Sequence, residues 1–331
     1  MDEKRYHDKQ PWAGPLVPSM KRRRVGHDYQ GRCIYMVTLS VEGRRPLLGH
    51  VTGDGIDEPA VLQPSDLGHA ILDELTKIPG LYPEIKILGR QLMPDHLHVI
   101  LFVQRRLPCH LSRVISGFKG GCNLIYRQFK HQGRITDAHT TLWEQGFNDR
   151  ILEGRGQLLR MVDYLHDNPR RLAIKRAHRD YFEVQRGIQV AGYTLAALGN
   201  LFLLQAPQLL QVQCTRRLTP EQIADTVRHF LDQASAGAIL VSPSISKGER
   251  AVMRAAFERG YPIIILQENG FAPLAKPGGK RFDACAQGKL LLLAPWEHHN
   301  DRRTIQRQQC MALNDIAAAI CASSPQPQSQ S

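Results

Sequence analysis

Met93-Pro94-Asp95-His96-Leu97-His98-Val99-Ile100-Leu101-Phe102 sets two histidines two residues apart at the mouth of an apolar run. In a strand alternate side chains share a face, so His96 and His98 point one way and Leu97 points the other, into a core. Neutral imidazole suits zinc, manganese, iron and, less tightly, magnesium, and the run that ends at Val103 anchors the strand carrying the pair. The segment therefore reads as a two-imidazole metal clamp whose third ligand comes from elsewhere. The spacing is served equally by one strand-end hydrogen bonder and one exposed histidine. Met-Pro-Asp is a turn signature that puts the pair at a sheet edge or a site rim.

Upstream, Cys33 to Ser40 is rich in β-branched and aromatic residues and predicts a first strand, followed by a Gly/Asp-rich loop. Asp66 to Ile78 repeats apolar residues at helical spacing behind Ser65 as cap. Glu84 to Met93 and His98 to Val103 read as strands around the Pro-Asp turn, and Leu111 to Phe129 as a second helix. Gly156 to His166 reads as a third helix stopped by Asn168-Pro169. This order predicts an α+β, ferredoxin-like antiparallel sheet with helices on one face.

Beyond about residue 200 buried strands alternate with amphipathic helices, the pattern of a parallel α/β sheet. Expected strands are Leu201 to Leu204, Ala238 to Ser242, Pro262 to Gln267 and Lys289 to Ala294. Expected helices are Pro220 to Ala234, Lys247 to Arg259 and Thr304 to Cys321.

The 331 residues are enough for two domains, and the net charge is +12. Residues 1–200 hold 29 Lys plus Arg against 21 Asp plus Glu, so the excess is larger in the first part. A basic surface favours a polyanionic partner, nucleic acid before membrane, because neutralising phosphates releases counterions. Seven cysteines without a Cys-x-x-Cys pair point to a reduced compartment rather than a disulfide framework. The N-terminal residues carry no apolar signal-peptide core and no stretch approaches a membrane span, so a cytoplasmic protein is expected.

Arg160-Met161-Val162-Asp163-Tyr164-Leu165-His166-Asp167-Asn168-Pro169 is the second informative segment. A helix that holds to Asn168 brings Tyr164 and Asn168 onto one face through their four-residue offset. Two imidazoles plus an amide oxygen make a three-ligand site open to a phosphate, and a neighbouring phenol is a candidate nucleophile.

These pieces, with Trp143-Glu144-Gln145-Gly146-Phe147-Asn148-Asp149-Arg150 between them, resemble the HUH (His-hydrophobe-His) single-tyrosine transposases, and among those the REP-associated tyrosine transposases. The resemblance covers roughly residues 30 to 185. It implies cleavage and rejoining of single-stranded or hairpin DNA through a 5'-phosphotyrosine. Tyr164 would be the nucleophile, and His96, His98 and Asn168 the ligands of a divalent ion, magnesium or manganese. The chain departs from the family pattern in His166 and Asp167, between Tyr and Asn, and in a long Arg150-to-Gly156 loop that would displace the tyrosine helix. Arg113, Lys119, Arg127, Lys130, Arg170 and Arg171 are candidates to follow a DNA backbone, and Trp143 to stack on a base.

In the C-terminal half, Ser242-Pro243-Ser244-Ile245-Ser246-Lys247-Gly248-Glu249 runs from a buried strand into a helix, a turn that favours an anion such as a nucleotide phosphate. Asn269-Gly270 would rim the same edge. This half is similar, with little specificity, to the Rossmann-like domain of the DNA-processing protein DprA. The expected layout is a flexible basic arm (1–28), an HUH nuclease domain (29–190), a Rossmann-like domain (191–322) and a disordered tail (323–331). The expected partner is DNA, without membrane, and a homodimer and a nucleotide are further expectations. Two other functions stay open on the sequence. One is a non-catalytic DNA-binding protein with a vestigial metal site; the other is a metal-dependent hydrolase of small phosphorylated substrates.

Overall fold

The computed structural model describes residues 24, 26–273, 275–301 and 303–323. The expected arm and tail lie almost wholly outside these residues. Of the basic cluster Lys21 to Arg24 only Arg24 is described, and its guanidinium meets the Glu153 carboxylate at 2.9 Å. The chain divides into two units, Met1–Ile174 and Lys175–Ser331, each considered by itself. The sequence reading placed this division near residue 190. It falls earlier because the hairpin that follows Ile174 pairs into the second sheet.

The first unit comprises β1 (Cys33–Ser40), β2 (Gly49–Thr52), β3 (Val61–Pro64), α1 (Asp66–Thr76), the single turn α2 (Ile78–Leu81), β4 (Ile85–Met93) and β5 (His96–Val103). Then come α3 (Leu111–His131), β6 (Asn148–Ile151) and α4 (Gln157–Ala177), the last crossing the division. The described residues form an antiparallel sheet in the order β4-β5-β1-β6, and β2 pairs with β3 in a separate hairpin beside β4. That hairpin occupies part of the stretch expected as a loop.

Period-two alternation along β5 sorts the unit into layers. Leu97, Val99, Leu101 and Val103 join Tyr35, Val37 and Leu39 of β1 in a core covered by α1, through Leu67, Ile71 and Leu75, and by α3, through Val114, Ile115 and Phe118. On the opposite face Ile100 and Met36 pack with Leu152 and with Leu165 of α4. The expectation of helices on one face is thus corrected: β5 is apolar on both sides, and its second face also needs cover.

α4 likewise outruns its expected stop, continuing through Pro169 to Ala177. Proline in a helix interior costs about 3 kcal/mol, since the Leu165 carbonyl loses its N–H partner. Burying Leu165, Ala173 and Ile174 along the same helix outweighs that, at roughly 1.5–3 kcal/mol for a large aliphatic side chain.

The second unit contains β7 (Gln185–Val190), β8 (Tyr193–Gly199), β9 (Leu209–Gln211), α5 (Pro220–Ser235), β10 (Ile239–Ser242) and α6 (Lys247–Glu258). It continues with β11 (Ile263–Leu266), α7 (Lys280–Ala286), β12 (Leu290–Ala294) and α8 (Arg307–Ala322). Its sheet runs β7-β8-β12-β11-β10-β9; β9 to β12 are parallel, and β8 joins β12 antiparallel. The sheet is therefore mixed where a parallel one was expected. Leu201 to Leu204, expected as a strand, lies in a 3-10 turn, Leu201–Gln205, capped by the Asn200 side chain. β8 takes the place beside β12 instead. α8 covers one face through Leu313, Ile316 and Ile320 against Val241, Ile264 and Leu293. No described helix is long and apolar enough to cross a membrane.

Gly68 shows how tightly α1 sits: a Cβ there would lie 2.1 Å from the Leu48 carbonyl oxygen. Gly68→Ala gains up to about 1 kcal/mol of helix propensity but overpacks against backbone, at about 1–3 kcal/mol. A lowered urea midpoint is expected, and an unchanged or raised one would contradict the packing described.

Candidate active site

β5 carries His96 and His98 on the face that meets α4, the same face as Ile100. Leu97 between them is fully buried in the opposite core, as the alternation requires. The two imidazole centroids are 4.7 Å apart, edge to face. Both rings are held by Nδ1: His96 on the Asp95 carboxylate at 2.6 Å and His98 on the Thr38 hydroxyl at 2.8 Å. Thr38 faces His98 directly across the β1/β5 ladder.

Hydrogen bonds at Nδ1 fix the orientation of both rings. Burial, with the charge of His96 next, pushes His98 down to about 3, so at neutral pH its ring is uncharged and can donate a lone pair. Burial opposes ionisation of Asp95, but the hydrogen bond and charge of His96, with Arg44 beyond, outweigh it and hold the carboxyl below its ordinary range.

Tyr164 reaches this pair from α4, its ring centroid 6.2 Å from that of His98. It is 39% exposed. The Arg150-to-Gly156 loop, expected to displace the helix, leaves the phenol beside the imidazoles. One helical turn on, Asn168 is buried and its Nδ2 has no hydrogen-bond partner. Among the described residues no group of three His, Cys, Asp or Glu side chains is placed to hold a metal ion. Of the expected ligand set, His96 and His98 share one face of β5 and Asn168 lies on the helix that meets it; its orphaned Nδ2 is a hydrogen-bond donor, so only the Oδ1 of the same amide could meet a cation.

Trp143 does not offer a stacking surface. It is 3% exposed, built into the core beneath α3 and bridged to Val41, because its segment closes the end of the sheet. Lys119 is spent on the same segment, donating to the carbonyls of Glu144 and Gly146 at 2.6 and 2.7 Å, and burial lowers its pKa. Lys130 donates to the His139 carbonyl at 2.8 Å, and Arg127 to that of Asn123 at 3.3 Å. With exposed Arg113, these residues belong to α3, behind the sheet from the histidines. Arg170 and Arg171 lie on α4 and pair with Asp167, at 2.5 and 3.7 Å.

In the second unit the Ser242–Glu249 turn supplies its own anion. Glu249, 2% exposed, accepts from the backbone N–H of Ile245 at 2.7 Å, Ser246 at 3.1 Å and Cys214 at 3.2 Å. Ser242 Oγ accepts from the Ser244 N–H at 3.0 Å, and Ser246 caps α6. A Cβ on Gly248 would press on Cys214. Asn269 binds both backbone groups of His299 at 3.0 Å, and a Cβ on Gly270 would strike the Trp296 carbonyl. The expected nucleotide site is corrected accordingly: a carboxylate of the chain bonds the N–H groups of Ile245 and Ser246 that a phosphate would need.

No family model matches the chain. An uncharacterized protein of Haemophilus influenzae is 22% identical over 167 residues, 43% of this chain and 83% of that protein. Among solved structures, DNA processing protein A of Helicobacter pylori, described for its single-stranded DNA binding mode, is similar with a TM-score of 0.32 at 18% identity, over 42% of this chain and 66% of that one. A REP-associated tyrosine transposase bound to a REP hairpin gives 0.29 at 17% identity, over 48% and 84%. DNA processing protein A of Streptococcus pneumoniae gives 0.32 at 20%, over 48% and 59%. The chain spans less than two thirds of the length of either DNA processing protein.

Removing the Glu249 carboxylate leaves buried N–H groups unpaired. Glu249→Ala is expected to lower the stability of the second unit by about 3 kcal/mol, read by urea unfolding. Added phosphate restoring that stability would instead mark the turn as an anion site.

Proposed function

We propose that the first unit cleaves and rejoins single-stranded or hairpin DNA by transesterification, with Tyr164 as nucleophile and a divalent ion, magnesium or manganese, held by His96, His98 and the Asn168 amide. The observation that carries this reading is the 6.2 Å approach of the Tyr164 ring to a pair of imidazoles both anchored by Nδ1. The net charge of +12 and the resemblance of the three motif blocks favour DNA as the substrate. The finer fold assignments, an HUH domain followed by a Rossmann-like one, belong to the same proposal.

The Asp95 carboxylate accepts from His96 Nδ1–H and so leaves its Nε2 for the ion, while the Thr38 hydroxyl holds the His98 ring at Nδ1. When bound, the ion supplies Lewis acidity at the scissile phosphate and neutralises charge there. Tyr164 Oη loses its proton and forms a bond to phosphorus, the bond from phosphorus to the 3'-oxygen breaks, and that oxygen takes up a proton. One phosphodiester is exchanged for another, so the 3'-hydroxyl can attack the 5'-phosphotyrosine and restore the strand without an external energy source. Burial of His98 keeps its lone pair available, and the exposure of Tyr164 admits a strand.

Purified protein incubated with hairpin oligonucleotides and manganese is expected to give a denaturation-resistant protein–DNA band. Tyr164→Phe is expected to reduce that band by about a thousandfold or more while DNA binding persists. An adduct that survives in Tyr164→Phe would falsify the assignment of the nucleophile. Chelation, or His96→Ala together with His98→Ala, is expected to suppress adduct formation without weakening binding to the same degree. Salt-dependent binding with no adduct under any divalent ion would point to a binding protein instead.

A further inference from the structure

Beside the imidazole pair a groove of about 350 Å³ runs between β4, the β2–β3 hairpin and α4. Gln91 and Leu92 of β4, Val61 and Leu62 of the hairpin, and His166 and Pro169 of α4 line it. It adjoins the candidate site through β4, where Gln91 faces His98 across the β4/β5 ladder.

The groove is also braced. Asp54 Oδ1 accepts from the backbone N–H of Ile56, Asp57 and Glu58 at 2.8, 2.9 and 3.0 Å, which ties the hairpin tip into one shape. Gly55, at φ 78°, lies so close to α4 that a Cβ would stand 2.8 Å from Arg170 Cγ and 3.1 Å from its carbonyl oxygen. Hairpin and helix therefore meet at one end, and the width between them is set before any ligand arrives.

The walls are largely aliphatic, and the polar groups among them are Arg90, Gln91 and His166. Gln91 Nε2 is bound to the Leu92 carbonyl at 2.8 Å, which leaves its Oε1 as an acceptor, and the exposed His166 adds an imidazole. Apolar walls with a small number of polar groups suit a flat ring with a hydrogen-bonding edge. Leu62, Leu92 and Pro169 offer surface that a bare phosphate would not use, and Arg90 can meet a phosphate that adjoins the seated ring.

We propose that this groove seats the nucleobase adjoining the phosphodiester held at Tyr164 and reads its edge through Gln91, so that the protein itself selects one base at the cleavage position. The inference rests on the transesterase reading above and adds its specificity determinant.

The test uses the full chain, manganese and hairpin oligonucleotides that carry each of the four bases, or an abasic site, at each position flanking the cleaved bond. Wild-type protein is expected to favour one base at one position by roughly ten- to a hundredfold in adduct formation. Val61→Trp, which fills the groove from a half-exposed strand position, is expected to remove the advantage of the preferred base over the abasic substrate, with an unchanged urea midpoint reporting that the variant is folded. Gln91→Ala is expected to flatten the preference among the four bases. Equal wild-type rates on every base, or a preference untouched by both variants, overturns the inference while the transesterase stands. No wild-type adduct on any substrate overturns the transesterase and the pocket with it.

Discussion

The first unit depends on burial of both faces of β5. One face, Leu97 to Val103 at every second residue, closes the main core with α1 and α3. The other carries His96, His98 and Ile100 in register, and Ile100 must be covered too. α4 is the element that covers it, and because the helix is fixed by that apolar contact, the side chains near Leu165 come to rest beside the histidines. Tyr164 precedes Leu165 by one residue. The energy that holds the helix down is thus the same energy that positions the phenol, and chemistry and packing share one interface.

This arrangement explains why α4 tolerates a proline. Ending the helix at Asn168 would give up the helical burial of Ala173 and Ile174; keeping it intact costs one backbone hydrogen bond. The carbonyl without its N–H partner and the unpartnered Asn168 amide both fall within one turn of Tyr164. The unpartnered Asn168 Nδ2 thus lies on the same helix as the phenol beside the imidazoles.

The second unit shows the reverse economy. Its most suggestive turn, Ser242 to Glu249, has the donors of an anion site, and a buried carboxylate already bonds several of them. The basic residues of α3 behave in the same way: Lys119 and Lys130 bind backbone carbonyls. Charge and motif chemistry in this chain are in several places used for structure, which concentrates the candidate chemistry on the α4 face of the first sheet.

Much of this was legible in the residues. The strands of the first sheet that flank the Pro-Asp turn, the shared face of the histidines, the burial of Leu97 and the one-turn offset of Tyr164 and Asn168 follow from periods of 2 and 3.6, which are properties of local backbone geometry. The second helical layer, the roles of Trp143 and Lys119, the Glu249 carboxylate inside its turn and the Thr38 hydroxyl behind His98 were not legible. Thr38 stands sixty residues from its histidine, and only strand register joins them. A sequence determines which side chains share a face because that depends on neighbours along the chain. Which distant group satisfies a buried polar atom depends on how the layers close, and so tertiary structure alone decided it.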